Sequence, residues 1–485
     1  MLKTDFLSII FFILFAGIAL ILLIPSHKEK LLKIISLFIL SLIFSITNIM
    51  WVFFNNCLVK FQYNLDFCWL INSNLTISFG VDGISLFLIM LSCLLCLVCV
   101  LFSWFSIKVY IKEYLLCFLL MEILLIAVFS TLDLLFFYIF FESILIPMFI
   151  LIGVWGSRDR KIRAGYLFFF YTLVGSILML VGVLYIYSQT GSTDYETLLM
   201  FKFSAFEQKI LWFLFFMSFA AKVPMLPFHI WLPEAHVEAP TTGSVLLAGI
   251  LLKLGTYGFI RFSIPFFPIA SIFFVPLIHT MSVVAIIYTS LTAMRQTDLK
   301  RVIAYTSVAH MNLVMLGLFS FNNIGLEGAI LQSLSHGFVS SALFLIIGVI
   351  YDRHHTRMIK YYGGLTKIMP SFSIIFLIFT MANIGLPMTS SFVGEFLLMV
   401  GCFKINTTST FFGSLGMILG GGYALWLLNR IIYGNLKTQY IYNFFDLNKR
   451  EFFSFLPLIF YTLYSGVYPK IFLSSLHFSI SFLYF

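Results

Sequence analysis

Charged side chains are scarce in this sequence: Asp, Glu, Lys and Arg together make up 10% of its 485 residues, whereas hydrophobic residues make up 61%. A water-soluble domain needs a polar surface, and no segment here is both long and polar enough to provide one. We therefore expect one membrane domain over residues 1–485, with an all-α polytopic fold.

Nucleotide and redox motifs are also absent from the sequence. No G-x-G-x-x-G follows a strand, no Walker motif occurs, and no histidine pair is typical of haem ligation. Cys93, Cys96 and Cys99 have the spacing of an iron–sulfur run, but they lie in an apolar stretch without a fourth ligand nearby, which favours ordinary packing. We expect neither a cofactor nor a metal ion in this chain.

Two further groups of residues allow alternative interpretations. The segment HIWLPEAHVEAP contains two histidines and two glutamates, but Pro233 and Pro240 argue against a helical His-Glu-x-x-His zinc geometry. We expect a loop or a water-facing mouth there. Cys57 and Cys68 share one predicted loop and could form a disulfide.

The first residues, MLKTDFLSII, enter an apolar run at once, without the Arg- and Ser-rich presequence of an imported protein. Phe is unusually abundant, with 60 residues, which is typical of an AT-rich organelle genome. We therefore expect an organelle-encoded protein.

Apolar runs of about 20 residues recur along the chain, and each is long enough to cross a hydrocarbon core of about 30 Å. Counting them predicts 14 spans, centred near residues 15, 44, 95, 122, 143, 177, 220, 251, 281, 308, 337, 386, 420 and 460. Loops after odd-numbered spans carry 20 of the 29 basic residues, and the termini and remaining loops carry 7. The net charge of +9 therefore indicates orientation in the membrane, not a nucleic-acid surface.

Ionisable side chains occur inside three of the predicted spans in the first half of the chain. They are Glu142, Lys222 and Lys253. A charge at bilayer depth costs about 2.5 to 3.5 kcal/mol and usually marks a transport pathway, although a structural ion pair is the alternative. Pro224 and Pro227 follow Lys222 and predict an interrupted helix, which is where transporters place their sites.

The second half of the chain repeats this layout with different chemistry. His310 and His336 each share a helical face with hydroxyl residues, and Glu395 follows a run interrupted at Gly385 and Pro387. A histidine satisfied in the protein core is the alternative interpretation. The interrupted spans are numbers 7 and 12, which cross the membrane in opposite directions. This arrangement predicts two inverted five-helix repeats, over residues 114–262 and 269–435.

Three segments resemble the antiporter-like membrane subunits of respiratory complex I: AAKVPMLPFHIWLPEAHVEAPTTGSVLLAGILLKLGTYG, DLKRVIAYTSVAHMNLV and SSFVGEF. The resemblance also implies 14 helices with two inverted repeats. It assigns a Glu–Lys pair to Glu142 and Lys222, a central lysine to Lys253, and a terminal acid to Glu395. It assigns the histidines of the second half to His310 and His336.

The resemblance further implies a multi-pass protein of the mitochondrial inner membrane, whose partners are other membrane-arm subunits, sibling antiporter-like subunits and lipid. FMN, iron–sulfur clusters and ubiquinone are expected in partner subunits. We therefore expect a proton-translocating subunit coupled to electron transfer from NADH to ubiquinone elsewhere in the complex. The alternatives are a subunit of a multisubunit sodium/proton antiporter and a structural subunit that conducts nothing.

Overall fold

The computed structural model describes residues 5–58, 60–70, 75–440 and 445–481. The side chains of residues 68–70 and 75 are not described, so the possible pairing of Cys57 with Cys68 lies outside the described residues.

Helices dominate the described chain. In chain order they are α1 Phe6–Leu23, α2 Glu29–Val52, α3 Gly83–Phe102, α4 Ile111–Ser130, α5 Leu134–Ser143, α6 Leu145–Trp155, α7 Lys161–Thr190, α8 Tyr195–Met200, α9 Ala205–Lys222, α10 Trp231–Glu238, α11 Thr241–Leu246, α12 Leu252–Gly258, α13 Ile264–Phe266, α14 Pro268–Phe273, α15 Val275–Arg295, α16 Leu299–Leu318, α17 Asn323–His354, α18 Pro370–Ile384, α19 Ser390–Ile405, α20 Thr407–Ile432, α21 Lys449–Val467 and α22 Lys470–Ser481.

Ten helical stretches among the described residues are long and apolar enough to cross a membrane. Every predicted span centre except the one near residue 386 lies inside a helical stretch, and residue 386 lies between α18 and α19. The sequence expectation of a mostly helical membrane protein therefore agrees with the structure.

The expectation of an all-α fold is wrong at one place. Strands β1, Gln62–Leu70, and β2, Leu75–Val81, form an antiparallel pair in which Phe67 lies opposite Ile77. Aromatic and β-branched residues favour a strand here, and the segment lies outside the long apolar runs from which the helices were predicted.

The chain divides into two compact units. The first lies within residues 1–222, 253–274 and 474–485, and the second within residues 223–252 and 275–473. In the first unit, α7 packs on α9 and α3 packs on α2 and α4. In the second, α17 packs on α16 and α19, and α15 packs on α16 and α20.

The α17–α19 contact is close because α19 presents glycine at the crossing. A Cβ at Gly394 would lie 2.9 Å from the backbone nitrogen of Gln332 on α17. Small residues are the usual means by which membrane helices approach this closely. The contact places the side chain of Gln332 next to that of Glu395, one residue beyond the glycine.

Both predicted interruptions are present. α9 ends at Lys222, and the next helix begins at Trp231; α18 ends at Ile384, and α19 begins at Ser390. Gly385, with a φ of +81°, ends α18 in the left-handed region. Such a backbone conformation favours glycine because a side chain would be strained there.

Two irregularities were not predicted from the sequence. α5 and α6 are separated at Ile144, three residues before Pro147, which has no N–H to donate to the preceding turn. Short π-helical segments, Leu247–Leu251 and Phe259–Ser263, flank α12. Single-turn π segments within helices frequently occur at functional sites.

Candidate functional site

Glu142 and Lys222 form an ion pair in the first unit. Lys222 Nζ lies 3.8 Å from Glu142 Oε1 and donates a hydrogen bond of 2.7 Å to the carbonyl oxygen of Phe141. Lys222 is 5% exposed, whereas the Glu142 side chain is 17% exposed. The lysine is therefore held by one neighbouring carboxylate and one backbone carbonyl, and the carboxylate is the more accessible partner.

The local backbone places both members of this pair at helix ends. Lys222 is the last residue of α9, and Glu142 lies next to the last residue of α5. Ser176 of α7 interacts with the Glu142 carboxyl. A side chain at the end of a helix can change position with less disturbance than one in a continuous helix, so the carboxylate is suited to a small displacement.

Lys253 lies in α12 of the same unit and is fully buried. Its own carbonyl accepts a hydrogen bond of 2.9 Å from Thr256 Oγ1. A lysine without exposed surface cannot extend its amine to the lipid headgroups, so it must be accommodated inside the protein.

His310, His336 and Glu395 come together in the second unit. His310 Nδ1 lies 3.3 Å from Glu395 Oε1, and the rings of His310 and His336 have centroids 5.9 Å apart. Gln332 Nε2 donates a hydrogen bond of 2.9 Å to the same carboxylate oxygen. Glu395 is therefore in contact with one imidazole and one amide, and a second imidazole is close by.

The Glu395 carboxyl lies against the interruption between α18 and α19. A Cβ at Gly385 would approach Glu395 Oε2 to 2.7 Å, so only glycine leaves room for the acid. A cavity of about 10 Å³ is lined by His310, Glu395 and Tyr423, among others. This volume is close to the smallest that holds one water molecule, and its polar lining could bind one.

A buried ion pair in the first unit was not predicted from the sequence. Arg261 lies in the π-helical segment that follows α12 and is 3% exposed. Its Nη2 lies 2.7 Å from Asp82 Oδ2, and its Nε donates a hydrogen bond of 3.2 Å to Tyr257 Oη. The aromatic rings of Phe61 and Tyr195 also face the guanidinium.

A buried acid in α4 was not predicted from the sequence either. Glu122 is fully buried and faces the thiols of Cys93 and Cys96 in α3. An acid in the middle of an apolar run is the signal that could have found it. Among the described residues, no group of three or more histidine, cysteine or acidic side chains is arranged to hold a metal ion.

Two expectations for the segment HIWLPEAHVEAP, a loop and a water-facing mouth, need correction. Residues 231–238 form a helix, α10, rather than the expected loop, because Pro233 lies in its first turn, where proline is tolerated. His236 is fully buried and stacks on Phe344, with ring centroids 4.7 Å apart. Lys300, near the start of α16, is 2% exposed and donates a hydrogen bond to the carbonyl oxygen of Ala239, which follows α10.

The family described as NADH:quinone oxidoreductase/Mrp antiporter, TM, matches residues 131–464. NADH-ubiquinone oxidoreductase chain 4 of Chondrus crispus is 58% identical over 463 residues, covering 96% of this chain and 94% of the relative. The chain belongs to this family. Chain 4 of Marchantia polymorpha is 56% identical with the same coverage, and chain 4 of Arabidopsis thaliana is 55% identical.

A solved structure supports the same membership. A chain of respiratory complex I from Thermus thermophilus with bound NADH superposes with a TM-score of 0.90 at 28% identity, covering 98% of both chains. The resemblance to antiporter-like complex I subunits is thus confirmed, and the relatives narrow it to chain 4. The chain is an antiporter-like membrane subunit of complex I.

Proposed function

We propose that this chain translocates protons as subunit 4 of complex I in the mitochondrial inner membrane, with electron transfer from NADH to ubiquinone in partner subunits as the energy source. The observation that carries the proposal is the Glu142–Lys222 pair: a buried amine 3.8 Å from a more accessible carboxylate, at the end of an interrupted helix. Interrupted helices at membrane depth are typical of transport sites.

The proposed path begins on the side of the basic loops. A proton binds Lys222, passes to Lys253, and continues through His336 to Glu395, beside which His310 lies; it leaves from Glu395 on the opposite face. In the second unit, the contacts among His310, His336 and Glu395 support the last steps. Each group in the path is an acid, an amine or an imidazole, which are the side chains that exchange protons readily.

Displacement of Glu142 is the proposed switch. At an effective dielectric constant of about 20, unit charges about 4 Å apart attract by about 4 kcal/mol, and by about half as much at about 8 Å. Moving the carboxylate by a few ångströms would therefore make proton binding by Lys222 less favourable by about 2 kcal/mol. This free energy corresponds to a proton affinity lowered roughly thirtyfold. A charge movement in a neighbouring subunit supplies the displacement.

The proposal includes the architecture that the sequence predicts: one membrane domain with 14 spans and two inverted five-helix repeats, over residues 114–262 and 269–435. The partners are sibling antiporter-like subunits, other membrane-arm subunits and lipid. FMN, iron–sulfur clusters and ubiquinone belong to partner subunits. The gene belongs to the organelle, as the abundance of Phe favours.

Purification of the tagged chain from mild-detergent extracts of mitochondria tests this function. We expect flavin and iron–sulfur signals to co-purify with the chain, and NADH-driven proton uptake by reconstituted vesicles to be independent of sodium. Co-purification of hydrophobic chains alone, together with sodium-dependent transport, would instead identify a subunit of a sodium/proton antiporter.

A further inference from the structure

Lys300 occupies an unusual place in the second unit. Although it follows a polar connection at the start of α16, it is only 2% exposed. Its Nζ donates hydrogen bonds of 2.8 Å to the carbonyl oxygen of Ala239 and 3.2 Å to Ser244 Oγ. Ala239 lies in the connection between α10 and α11, and Ser244 lies in α11. A buried lysine with only neutral hydrogen-bond partners requires a nearby acid to offset the loss of water.

Several charged groups surround Lys300. Glu238, Asp298 and Asp352 attract its amine, and Arg357 repels it. Asp298 is already engaged, because its carboxylate lies 3.9 Å from Arg357 Nε and accepts a hydrogen bond from the backbone nitrogen of Lys300. Arg357 also donates a hydrogen bond to the carbonyl oxygen of Val237.

Asp352 is exposed and attracts the amine less than Glu238 does, so Glu238 is the buried acid that remains available to Lys300. It is 2% exposed, and its Oε2 has no hydrogen-bond partner within the described part of the chain. Burying a carboxyl oxygen without a hydrogen bond destabilises the folded protein. The presence of such an oxygen in Glu238 therefore favours a role in which it gains and loses a proton.

α10 connects this buried acid with the protein surface. Glu234 lies four residues before Glu238, on the same face of the helix. The Glu234 side chain is 36% exposed and pairs with Arg301 at 2.8 Å. Glu234 and Glu238 thus place two carboxyl groups one helical turn apart, the first at the accessible surface and the second among the buried groups that attract the amine of Lys300.

We propose that Lys300 is a second proton-loading residue of this chain, supplied along α10 by Glu234 and Glu238. This inference rests on the proposed function. The O–H bond of a protonated Glu238 breaks, an N–H bond forms on the neutral amine of Lys300, and Glu238 is left as a carboxylate. Lys300 is thereby left as an ammonium cation that donates hydrogen bonds to the Ala239 carbonyl oxygen and Ser244 Oγ, and the number of protons is conserved.

A purely structural role makes a different prediction. A cation next to the carbonyls at the end of α10 stabilises that helix end, and an arginine would do so as well as a lysine. An arginine cannot release a proton at physiological pH. Lys300→Arg therefore separates the two roles in the intact complex.

The test measures protons pumped per electron pair in vesicles reconstituted with assembled complex. We expect the number of protons pumped per electron pair to fall as far in Lys300→Arg as in Lys222→Ala. The control Lys360→Arg, at an exposed position, should keep the wild-type ratio. A wild-type ratio in assembled Lys300→Arg complex would overturn the proposal and leave Lys300 as a helix-end cation.

Glu238→Gln provides a second measurement, which does not depend on whether an arginine fits at position 300. Loss of a neighbouring negative charge makes the protonated lysine less favourable, so the pH profile of pumping should move to lower pH. An unchanged profile in assembled Glu238→Gln complex would overturn the proposal.

The same vesicles separate failure of this inference from failure of the proposed function. Loss of pumping in Lys222→Ala, together with a wild-type ratio in Lys300→Arg, would show that Lys300 does not load protons, and the proposed function would stand. Wild-type ratios in both variants contradict the proton path as a whole.

Discussion

Glu395 and Gln332 share a hydrogen bond of 2.9 Å across the contact between α19 and α17, the most extensive helix contact of the second unit. Ser335 in turn donates a hydrogen bond of 3.0 Å to Gln332 Oε1, which orients the amide so that its nitrogen faces the acid. The amide therefore holds the carboxylate in place without adding a charge.

Replacing this amide should impair the last step of the path. Gln332→Met keeps the size of the side chain but removes the donor to Glu395, and leaving a buried group unsatisfied costs about 1 to 3 kcal/mol. We expect slower proton pumping with an assembled complex. The matched control is Ser341→Ala on the same helix, whose hydroxyl contacts only the backbone of Phe338 among the contacts described. Equal pumping rates in the two variants would show that Gln332 does not position the acid.

Gly385→Ala should destabilise the chain by two separate effects. A side chain at a φ of +81° is strained by about 1 to 2 kcal/mol, and the new Cβ would also meet the Glu395 carboxyl. Gly191→Ala is the control, since Gly191 has a φ of +71° but open space around it. We expect a larger fall in the thermal unfolding temperature for Gly385→Ala, and an equal fall would show that the contact with Glu395 is unimportant.

The buried pair of Arg261 and Asp82 should respond to mutation differently from the half-exposed pair of Arg301 and Glu234. Breaking a buried pair from one side costs about 3 to 5 kcal/mol because the remaining charge is left unpaired. An exposed pair contributes about 0 to 1 kcal/mol. We expect Asp82→Asn to lower the unfolding temperature much more than Glu234→Gln, with Arg261→Met relieving part of the loss in the double variant. Strictly additive losses for Asp82→Asn and Arg261→Met would contradict this.

Asp446 gives a pH-dependent contribution to stability outside the membrane-spanning segments. Partial burial acts to raise the pKa of its carboxyl, but hydrogen bonds from Ser371, Leu447 and Phe372 outweigh it and lower the pKa below its usual value. A lowered pKa stabilises the folded state above the unfolded pKa, and this contribution disappears as the pH falls through the folded pKa.

We therefore expect Asp446→Asn to lower the unfolding temperature at neutral pH and to have little effect once the carboxyl is protonated in acid. Thermal unfolding in detergent, measured from neutral to acidic pH, checks this. A difference between the two proteins that stays constant over the whole range would show that the charge of Asp446 does not matter.

The sequence predicted the helices well because apolar length and proline positions are local signals. The interruptions after Lys222 and near Gly385 follow from proline and glycine alone. The strands Gln62–Leu70 and Leu75–Val81 were missed because only apolar runs of membrane length were counted.

The burial of Lys300 and Arg261 could not be predicted in the same way. Both lie near polar or aromatic stretches that look like loop ends, and their partners, Glu238 and Asp82, are distant in sequence. Contacts of this kind depend on how the helices pack, which hydrophobic periodicity does not encode. The six predicted site residues were selected from local signals, because an ionisable group in an apolar run is visible without any knowledge of packing. Their roles stay predictions.

The proton-to-electron ratio of complexes with Lys222→Ala or Glu142→Gln tests the central claim most directly. Both residues are required if the carboxylate controls loading of the amine, so each variant should pump fewer protons per electron pair while NADH oxidation continues in the presence of an uncoupler. The exposed residue Lys202, which precedes the same helix, provides the control variant Lys202→Ala. A wild-type ratio in both Lys222→Ala and Glu142→Gln would contradict the proposed path.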